Sequence, residues 1–596
     1  MYIGNWIFIL LVLVSFAGLY KIFEKTGRAT WKAFVPFLNF YEWIKLLERP
    51  WWWVFLMIVP GVNILMYSVL AVITAQYFGK RKTMDLTLAA FFSYLYIVFL
   101  GFSKEEKFVG IEDIKNRKGG FIKTWLDPLI FAVIAATVIR TFFLEAFTIP
   151  TSSLEKSLMV GDFLFVNKFA YGAKIPQTPI AFPFAHHTLP FTKETKSYLE
   201  WIQLPYWRLP GYSKIKNGDI VVFNYPDGDT VALKFQNTSY YGLIREVATS
   251  YANEDGNRSP EAVYESYARE YIKSDPKRFG RIVARPKDKR EHYVKRCVAI
   301  AGDKFEVIDG QVHINGVKQE TPEHAQYNYR VSTNGMLFGG QKNNKLGEAC
   351  LTNEELLDKY DIYVMETNFY GVHGDTAEYQ LNMPADVAEK IKKLNGVISV
   401  TRENIPKGEA DRRIFPHNKN YKWNNDNFGP LVIPKTGVTV KIDTLTIPLY
   451  KKILDTYDDG YHMVEVKGSQ VYYDGTPIKE YTFKQDYYFM MGDNRHNSAD
   501  SRYWGLVPFD HVVGKPVFVW FSMKDADKNP ISGTNLVSSL TKNSKEGKFR
   551  WERFFTFVGD KGLSRSYFVH FLVIVAAWWG IAKFLKRRKA KKAVTK

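Results

Sequence analysis

Five apolar segments and one long polar region divide the chain. The apolar segments cover residues 5–20, 52–77, 86–101, 125–148 and 567–582, and each approaches the roughly 20 residues that cross a bilayer. The first segment has no basic flank before it and is followed by further apolar segments, so we interpret it as an uncleaved anchor rather than a signal peptide. The pattern predicts a multi-helix membrane domain over residues 1–101 and transmembrane helices over 125–148 and 566–585, with α-helical membrane segments at both ends.

The polar region between the last two apolar segments is predicted to be mainly β. Short runs that alternate apolar and polar residues, or that are rich in β-branched and aromatic residues, are bounded by Gly, Asp and Pro. These runs predict strands at residues 163–169, 219–225, 293–301, 304–318, 487–491 and 512–523.

Longer and more polar stretches separate these strands. We expect residues 319–485, which include a helical segment at 385–394, to form a separate α+β cap insertion in a β domain built from residues 149–318 and 486–525. Residues 526–565 are rich in Lys, Asn, Ser and Gly and predict a linker back to the membrane.

Two pieces of the polar region resemble each other. Residues 305–318 and 464–477 each place a Gln-Val pair before an Asn-Gly or Asp-Gly turn. Either the chain contains an internal repeat, or two unrelated hairpins share the same turn chemistry.

The net charge of +19 first suggests a nucleic-acid partner, but its distribution favours a membrane topology. The tail after residue 582 carries eight Lys and Arg residues and no acid, and residues 104–123 carry six against four Asp and Glu. Basic flanks mark the cytoplasmic ends of membrane spans, so we expect the loop 102–124 and the tail 586–596 to be cytoplasmic. A nucleic-acid-binding tail is the alternative, but we expect no nucleic-acid partner.

This topology predicts a multi-pass protein with residues 149–525 on the outer face of the membrane, which for a bacterium is the periplasm or the extracellular space. The only cysteines are Cys297 and Cys350, which provide neither a disulfide framework nor a zinc site. Two free thiols and a single bridge both remain open, and we expect no metal ion and no cofactor.

Three clusters carry candidate chemistry. They are TIPTSSLEKSLMVGDFLFVNKFAYG at residues 148–172, YVKRCVAIAGD at 293–303 and MGDNRHNSADSRYWGLVP at 491–508. Each has an ordinary interpretation alone. Serines before a strand cap turns, a lysine on a strand extends to water, and a run of Asp, Asn and Arg is typical of a solvated loop.

Together and in this order, the clusters resemble the bacterial type I signal peptidase family. The family's membrane segment ends in the pattern seen here in Arg140, Phe142, Glu145, Phe147, Ile149 and Pro150, followed by the serine cluster. Its later motifs correspond to residues 168–172, 218–223, 295–296 and 492–502. The resemblance covers residues 125–225, 293–303 and 487–523, and residues 1–101 more weakly resemble a small membrane module fused to such enzymes.

The resemblance implies a membrane-anchored serine endopeptidase with a signal-peptidase-like β-sheet fold. Such an enzyme removes signal peptides from exported preproteins at the outer membrane face, with preproteins and the lipid bilayer as partners. The same interpretation allows association with the export machinery.

The resemblance also implies roles for individual residues. Ser153, five residues before Leu158 and eight before Gly161, is the nucleophile, and Lys295 is the general base. The Thr151 hydroxyl and the Ser153 backbone N–H are implied to form an oxyanion hole. Ser498 is implied to provide a hydroxyl that orients the lysine amine, and Asp500 and Arg502 are implied to form a supporting ion pair.

The implied chemistry requires a neutral lysine, because only a neutral amine can accept the proton of serine. The apolar neighbours Val294, Cys297, Val298 and Ala299 lie along the same predicted strand, and burial among them would lower the pKa of Lys295. Two alternative functions make different demands on the sequence. A catalytically silent membrane scaffold would not need the dyad, and a self-cleaving repressor would need a helix-turn-helix where this chain has membrane segments.

Two of the motifs depart from the family pattern. Glu155 and Lys156 occupy the serine cluster where the family has no charge, and His496 replaces an aspartate. We expect the two charges to lie near the scissile groove and to alter substrate preference, and the histidine to weaken local hydrogen bonding. The aromatic and proline-rich stretch 181–212 is either a loop packed on the β domain or a segment that dips into the outer leaflet.

Overall fold

The computed structural model describes residues 3–80, 82–110, 127–192, 194–236, 238–256, 258–259, 261–336, 338, 351–362, 366–458, 460–525, 547–559 and 562–594. The chain forms two compact units. The first comprises Met1–Leu144, Gly172–Pro210 and Pro286–Arg290, and the second comprises Glu145–Tyr171, Gly211–Arg285 and Glu291–Lys596.

The first unit is mainly helical. One described helix, Ile3–Lys25, is long and apolar enough to cross a membrane, and the pair Thr83–Phe91 and Ser93–Phe102 would be so only as one span, although it bends by 117°. Gly18 and Gly101 let the helix Ile3–Lys25 approach the helix Ser93–Phe102 closely, because a Cβ on Gly101 would lie 2.5 Å from the Gly18 carbonyl oxygen. The other helices of this unit are Thr30–Phe34 (a 3₁₀ turn), Leu38–Leu46, Trp53–Ile58, Val62–Tyr77, Asp127–Val138 and the 3₁₀ turn Lys287–Lys289.

The predicted transmembrane helix over residues 125–148 is shorter than expected. The helix ends at Val138, one π-helical turn covers Ile139–Phe143, and Leu144–Thr148 is a strand. Pro150 disfavours helical backbone at Ile149, and the residues before it therefore extend into the sheet. Residues 111–126, which hold most of the predicted loop 102–124, lie outside the described part of the chain.

The stretch 172–210 contacts the helices of the first unit. The Asn5 side chain donates to the Gln203 carbonyl oxygen at 2.8 Å and accepts from the Gln203 N–H at 3.1 Å. Phe142, from the π-helical turn, and Ile175, from this stretch, are buried in the same small apolar cluster. Several aromatic side chains of the stretch are exposed nonetheless, among them Phe191, Trp201 and Trp207. Within this unit the stretch therefore both packs against helices and presents an aromatic surface.

The second unit is built on a curled, mainly antiparallel β-sheet. Its strands lie in the order Leu144–Thr148, Asp162–Asn167, Val512–Asp525, Ile220–Asn224, His292–Ala299, Tyr487–Met491 and Val507–Pro508. Register shifts between Phe163 and Leu164 and between Phe165 and Val166 bend the pairing with the longest strand. Gly547–Phe549 and Thr556–Gly559 also pair with that strand, and Gly562–Leu563 pairs with Thr556–Gly559.

The stretch 319–485, which the sequence predicts to be a separate cap insertion and which we call the insertion, contributes to two different cores. The strands Thr367–His373, Thr376–Pro384, Gln326–Thr333 and Val397–Arg402 form one sheet in that order, with their own buried cluster around Val331 and Leu381. Residues after about 403 instead bury Phe428, Leu454 and Phe483 in one cluster with Phe305 and with Phe489, which lies on a strand of the main sheet. The second half of the insertion therefore shares a core with the β domain.

Both pieces of the sequence similarity form three-stranded meanders. The first consists of Lys304–Ile308, Gln311–Ile314 and Val317–Lys318, and the second of Val464–Lys467, Gln470–Tyr473 and Thr476–Ile478. Asn315-Gly316 and Asp474-Gly475 have positive φ at both positions, as type I′ turns require. Phe428–Val432 extends the first meander, and the remaining strand pairs are Thr230–Ala232 with Ile282–Ala284 and Thr439–Lys441 with Glu480–Thr482.

The helices of the second unit lie mostly outside the sheet. They are Tyr240–Glu254, Glu261–Ser274, Pro276–Phe279, Asn353–Tyr360, Ala385–Ile391, Ile447–Lys452, Ser501–Trp504 and Phe568–Val594, with 3₁₀ turns at Ser152–Leu154, Phe509–His511 and Trp551–Arg553 and a π-helical turn at Ile453–Tyr457. The described apolar part of the last helix, Phe568–Phe584, is shorter than a typical span. Residues 526–546 of the predicted linker lie outside the described residues.

Candidate active site

The two adjacent serines lie on a short turn that follows Pro150, which we call the nucleophile turn (residues 151–158). Ser152–Leu154 forms one 3₁₀ turn, in which Ser153 is buried and Ser152 is half-buried. The Ser152 hydroxyl accepts a hydrogen bond from the Asn497 side chain at 3.1 Å. The backbone therefore points the two hydroxyls to different partners, and only that of Ser153 reaches the lysine.

Lys295 lies in the middle of the strand His292–Ala299 and is buried. Its ammonium donates a hydrogen bond to the Ser153 hydroxyl oxygen, and none of the described residues forms a salt bridge with it. Burial lowers the pKa of Lys295 to about 8, because desolvation outweighs the opposing charges of Asp500 and Asp493. A buried lysine of this kind can release its proton near neutral pH and act as a base.

The loop that follows the strand Tyr487–Met491 carries charged residues that act on the lysine amine. We call residues 491–502 the support loop. Asp500 and Arg502 form a buried ion pair at 2.7 Å within it. Burial alone would raise the pKa of Asp500, but Arg502 and the Gly492 N–H hold it below its usual value. The ion pair predicted between these two residues is therefore present, and its negative member faces the lysine charge.

The nucleophile turn and the support loop lie very close together at Gly492. A Cβ at that position would lie 2.3 Å from the Ser498 hydroxyl and 2.5 Å from the Ser153 carbonyl oxygen. The Asn494 N–H donates to the same Ser153 carbonyl at 3.1 Å. The absence of a side chain at Gly492 thus lets the support loop hold the backbone of the nucleophile.

One residue given a role by the resemblance makes no such contact here. The Ser498 hydroxyl is buried beside Gly492 but has no hydrogen-bond partner among the described residues, so it does not bond the lysine amine as expected. Thr151 is exposed and makes no capping hydrogen bond to the turn that it precedes.

A third polar cluster supports the site and was not assigned from the sequence. The Arg296 guanidinium binds both carboxylate oxygens of Asp493, at 2.8 and 2.7 Å, and the Ser157 hydroxyl donates to Asp493 at 2.6 Å. This cluster joins the lysine strand, the support loop and the nucleophile turn. The signal was present in the sequence, because an arginine inside an apolar strand needs a buried counter-charge.

The structure shows the surroundings of the residues that differ from the family pattern. Glu155 is fully buried, and the Lys156 ammonium forms a salt bridge with Asp361 at 2.6 Å. His496 makes two hydrogen bonds, since Nδ1 accepts from the Asn328 N–H at 2.9 Å and Nε2 lies 2.8 Å from an Asp426 oxygen. The partners of Lys156 and His496 both lie in the insertion. A local sequence pattern does not reveal partners so distant in the chain.

Within the described residues, no three His, Cys, Asp or Glu side chains are grouped so as to hold a metal ion. Cys297 is a buried free thiol on the lysine strand, and Cys350 lies outside the described residues. The polar groups assembled here are a hydroxyl, a buried amine and two guanidinium–carboxylate pairs. This set suits acyl transfer by a serine that an amine activates.

Comparisons with known proteins identify the family of the chain. A family model described as signal peptidase, peptidase S26, matches residues 122–240, 247–377 and 433–521. Residues 31–111 match a family of unknown function (DUF5684).

Several proteins named signal peptidase I are similar to this chain, some of them over most of its length. Signal peptidase I of Buchnera aphidicola subsp. Baizongia pistaciae is 22% identical over 396 residues, which cover 66% of this chain and 74% of the relative. Signal peptidase I of Helicobacter pylori is 21% identical over 451 residues, 74% of this chain and 92% of the relative. That of Aquifex aeolicus is 44% identical over 65 residues, 11% of this chain and 25% of the relative. Because the peptidase S26 model matches more than half of the chain, this protein belongs to the type I signal peptidases and is a serine endopeptidase.

Proposed function

We propose that this protein removes signal peptides from exported preproteins by a Ser153–Lys295 dyad mechanism at the outer face of a bacterial cytoplasmic membrane. The observation that carries the proposal is the buried hydrogen bond between the Lys295 ammonium and the Ser153 hydroxyl. A catalytically silent scaffold would have no need for a lysine whose burial lowers its pKa to about 8.

The first half of the reaction forms an acyl-enzyme. Neutral Lys295 accepts the Ser153 proton while the serine oxygen attacks the carbonyl carbon before the scissile bond. The oxyanion that forms accepts hydrogen bonds from the Ser153 N–H and the Thr151 hydroxyl, which the exposed position of Thr151 leaves available. The lysine ammonium then donates its proton to the leaving amine, and the C–N bond breaks.

The second half releases the signal peptide. Lys295, neutral again, accepts a proton from water as the water oxygen attacks the ester carbon. The second tetrahedral intermediate collapses when the ammonium returns a proton to the Ser153 oxygen. The Asp500–Arg502 pair keeps a compensated negative charge near the amine through both halves, and this charge favours the transient ammonium.

The domain organisation supports this use. We propose that residues 1–101 form a membrane domain, that the helix within 125–148 and the helix within 566–585 anchor the β domain at both of its ends, and that the flanks 102–124 and 586–596 are cytoplasmic. The strand that begins at Leu144 leads to Ser153 within ten residues, so the site lies near the membrane surface. A preprotein whose apolar signal segment remains in the bilayer presents its cleavage site at the same level.

The proposal is tested by substitution at the two serines and the lysine. Ser153→Ala and Lys295→Ala should each reduce preprotein cleavage to background, because each removes one member of the dyad. Ser152→Ala should retain most of the activity, since that hydroxyl bonds Asn497 rather than the lysine. Equal loss from all three, or loss only from Ser152→Ala, would show that the nucleophile is assigned wrongly.

A further inference from the structure

The two places where this chain departs from the signal peptidase motifs both contact the insertion 319–485. Lys156, on the nucleophile turn, bonds Asp361 through its side chain at 2.6 Å and also through the Asp361 carbonyl oxygen. His496, on the support loop, bonds Asn328 and Asp426. A charge and an imidazole that have no counterpart in the motif therefore each have a partner in the same inserted region.

Lys156 has an uncommon backbone conformation and a largely buried side chain. Its backbone has a positive φ of 70°, which is uncommon for a non-glycine residue, and its side chain is only 9% exposed. Asp361 ends the helix Asn353–Tyr360 and is fixed there by its own N–H, which donates to the Leu357 carbonyl. The salt bridge thus ties the nucleophile turn to a helix terminus.

His496 bridges two parts of the insertion. Because the Asn328 N–H can only donate, Nδ1 must be the unprotonated nitrogen, and Nε2–H donates to Asp426. Both side chains are largely buried, at 9% and 2% exposure. Asp426 also accepts the Ile405 N–H at 3.0 Å, so the acceptor is itself fixed.

Backbone contacts surround this bridge. The Gln326 N–H donates to the Asp493 carbonyl, and the Arg495 N–H donates to the Gln326 carbonyl, both at 2.9 Å. The Phe415 N–H donates to the Arg502 carbonyl at 2.8 Å, and the Arg502 guanidinium donates to the Asn425 carbonyl at 3.2 Å. The insertion therefore contacts the support loop from both strands and loops, on either side of His496.

We propose that the insertion is a positioning element for the dyad, with Lys156–Asp361 holding the nucleophile turn and His496–Asp426 holding the support loop. The inference rests on the proposed function and adds what the insertion does for it. Lys156, Asp361, His496 and Asp426 are positioning residues, because they act through the backbone on either side of Ser153 and Asp500. A misplacement of about 1 Å at a reacting group can cost about 100-fold in rate, so these contacts bear on kcat rather than on substrate binding.

The test at the support loop uses a substitution toward the family pattern. His496→Asp should lower kcat for a short soluble peptide about tenfold or more with KM nearly unchanged, because it places a second carboxylate beside buried Asp426. Adding Asp426→Asn should restore most of kcat, since the amide can donate to the introduced carboxylate while that carboxylate accepts the Asn328 N–H. The rescue separates positioning from a failure to fold.

The test at the nucleophile turn is a double-mutant cycle. Lys156→Met and Asp361→Asn should each lower kcat, and the double variant should be no worse than Lys156→Met alone, because both remove one interaction. Lys390→Met is the matched control. Lys390 pairs with Asp386 in the same insertion at 3.0 Å, but both side chains are exposed, so its loss should leave kcat unchanged.

The outcomes separate this inference from the proposed function. If wild-type protein cleaves the peptide and Ser153→Ala does not, the dyad stands. Wild-type kcat in His496→Asp and Lys156→Met, or losses that match the loss of folded protein and resist rescue by Asp426→Asn, would then overturn the positioning role alone. A wild-type protein that does not cleave would contradict the proposed function itself.

Discussion

At the scale of single residues, the chemistry depends on how much of Lys295 is neutral. With a pKa of about 8, about a tenth of the lysine is neutral at pH 7, whereas an exposed lysine with a pKa near 10.4 would be neutral in only about one molecule in a few thousand. Burial on the sheet therefore gives the base a usable neutral population at neutral pH.

The pH dependence of cleavage follows from this shift. Because the neutral amine is the active form, kcat/KM should rise about tenfold per pH unit below pH 8 and level off above it. Lys295→Arg should be inactive at every pH, since a guanidinium stays protonated. The profile is measured with a short peptide to avoid membrane effects, and a plateau already reached at pH 6 would indicate a different base.

The two residues of the proposed dyad could be named from the sequence, but their surroundings could not. The register of the family motif favours Ser153 over Ser152, and in the structure the Ser153 hydroxyl contacts the lysine. Asp493 lay within a quoted motif, yet its role as partner of Arg296 needed coordinates. The partners of Lys156 and His496 could not be predicted from the sequence, because they lie 205 and 70 residues away in the chain.

At the scale of elements, short runs rich in β-branched and aromatic residues predicted the main strands well. The strand Tyr487–Met491 matches its predicted bounds, and the predicted strands 219–225 and 512–523 differ by two residues or fewer at each end. The prediction failed where one apolar run contains two structures, as in 125–148, where a helix passes into a strand. Hydrophobicity alone does not mark such a change, because both elements are apolar.

The aromatic stretch 181–212 carries a prediction at the same scale. Trp201 and Trp207 are exposed, and tryptophan favours the headgroup region of a bilayer. Replacing both with Ser in the full-length protein should slow cleavage of a membrane-inserted preprotein several-fold while leaving a short soluble peptide almost unaffected.

The matched control is Tyr267→Ser, which removes an exposed aromatic ring from the polar helix Glu261–Ser274. It should affect neither substrate. If the tryptophan variant slows both substrates equally, the stretch serves only to pack against the helices, as the Asn5–Gln203 contacts alone would require.

At the scale of the whole molecule, one chain combines an N-terminal apolar helix long enough to cross a membrane with a mainly β catalytic region. The composition predicted a membrane protein, because apolar segments with basic flanks fit a membrane protein better than a nucleic-acid-binding one. The sequence did not show that the second half of the insertion shares its core with the β domain. Long-range packing of this kind depends on which apolar faces meet, and periodicity within one segment carries no such information.

The central claim is that this enzyme cuts preproteins at a signal-peptide site through Ser153 and Lys295. The most direct test incubates purified full-length protein with a preprotein that carries an Ala-x-Ala cleavage site and sequences the new N-terminus. We predict that the product begins at the residue after the second Ala, that Leu in place of that Ala blocks cleavage because a pocket sized for a methyl group excludes it, and that Ser153→Ala and Lys295→Ala yield no product. Absence of a new N-terminus with the wild-type enzyme, or the same product from Ser153→Ala, would contradict the account.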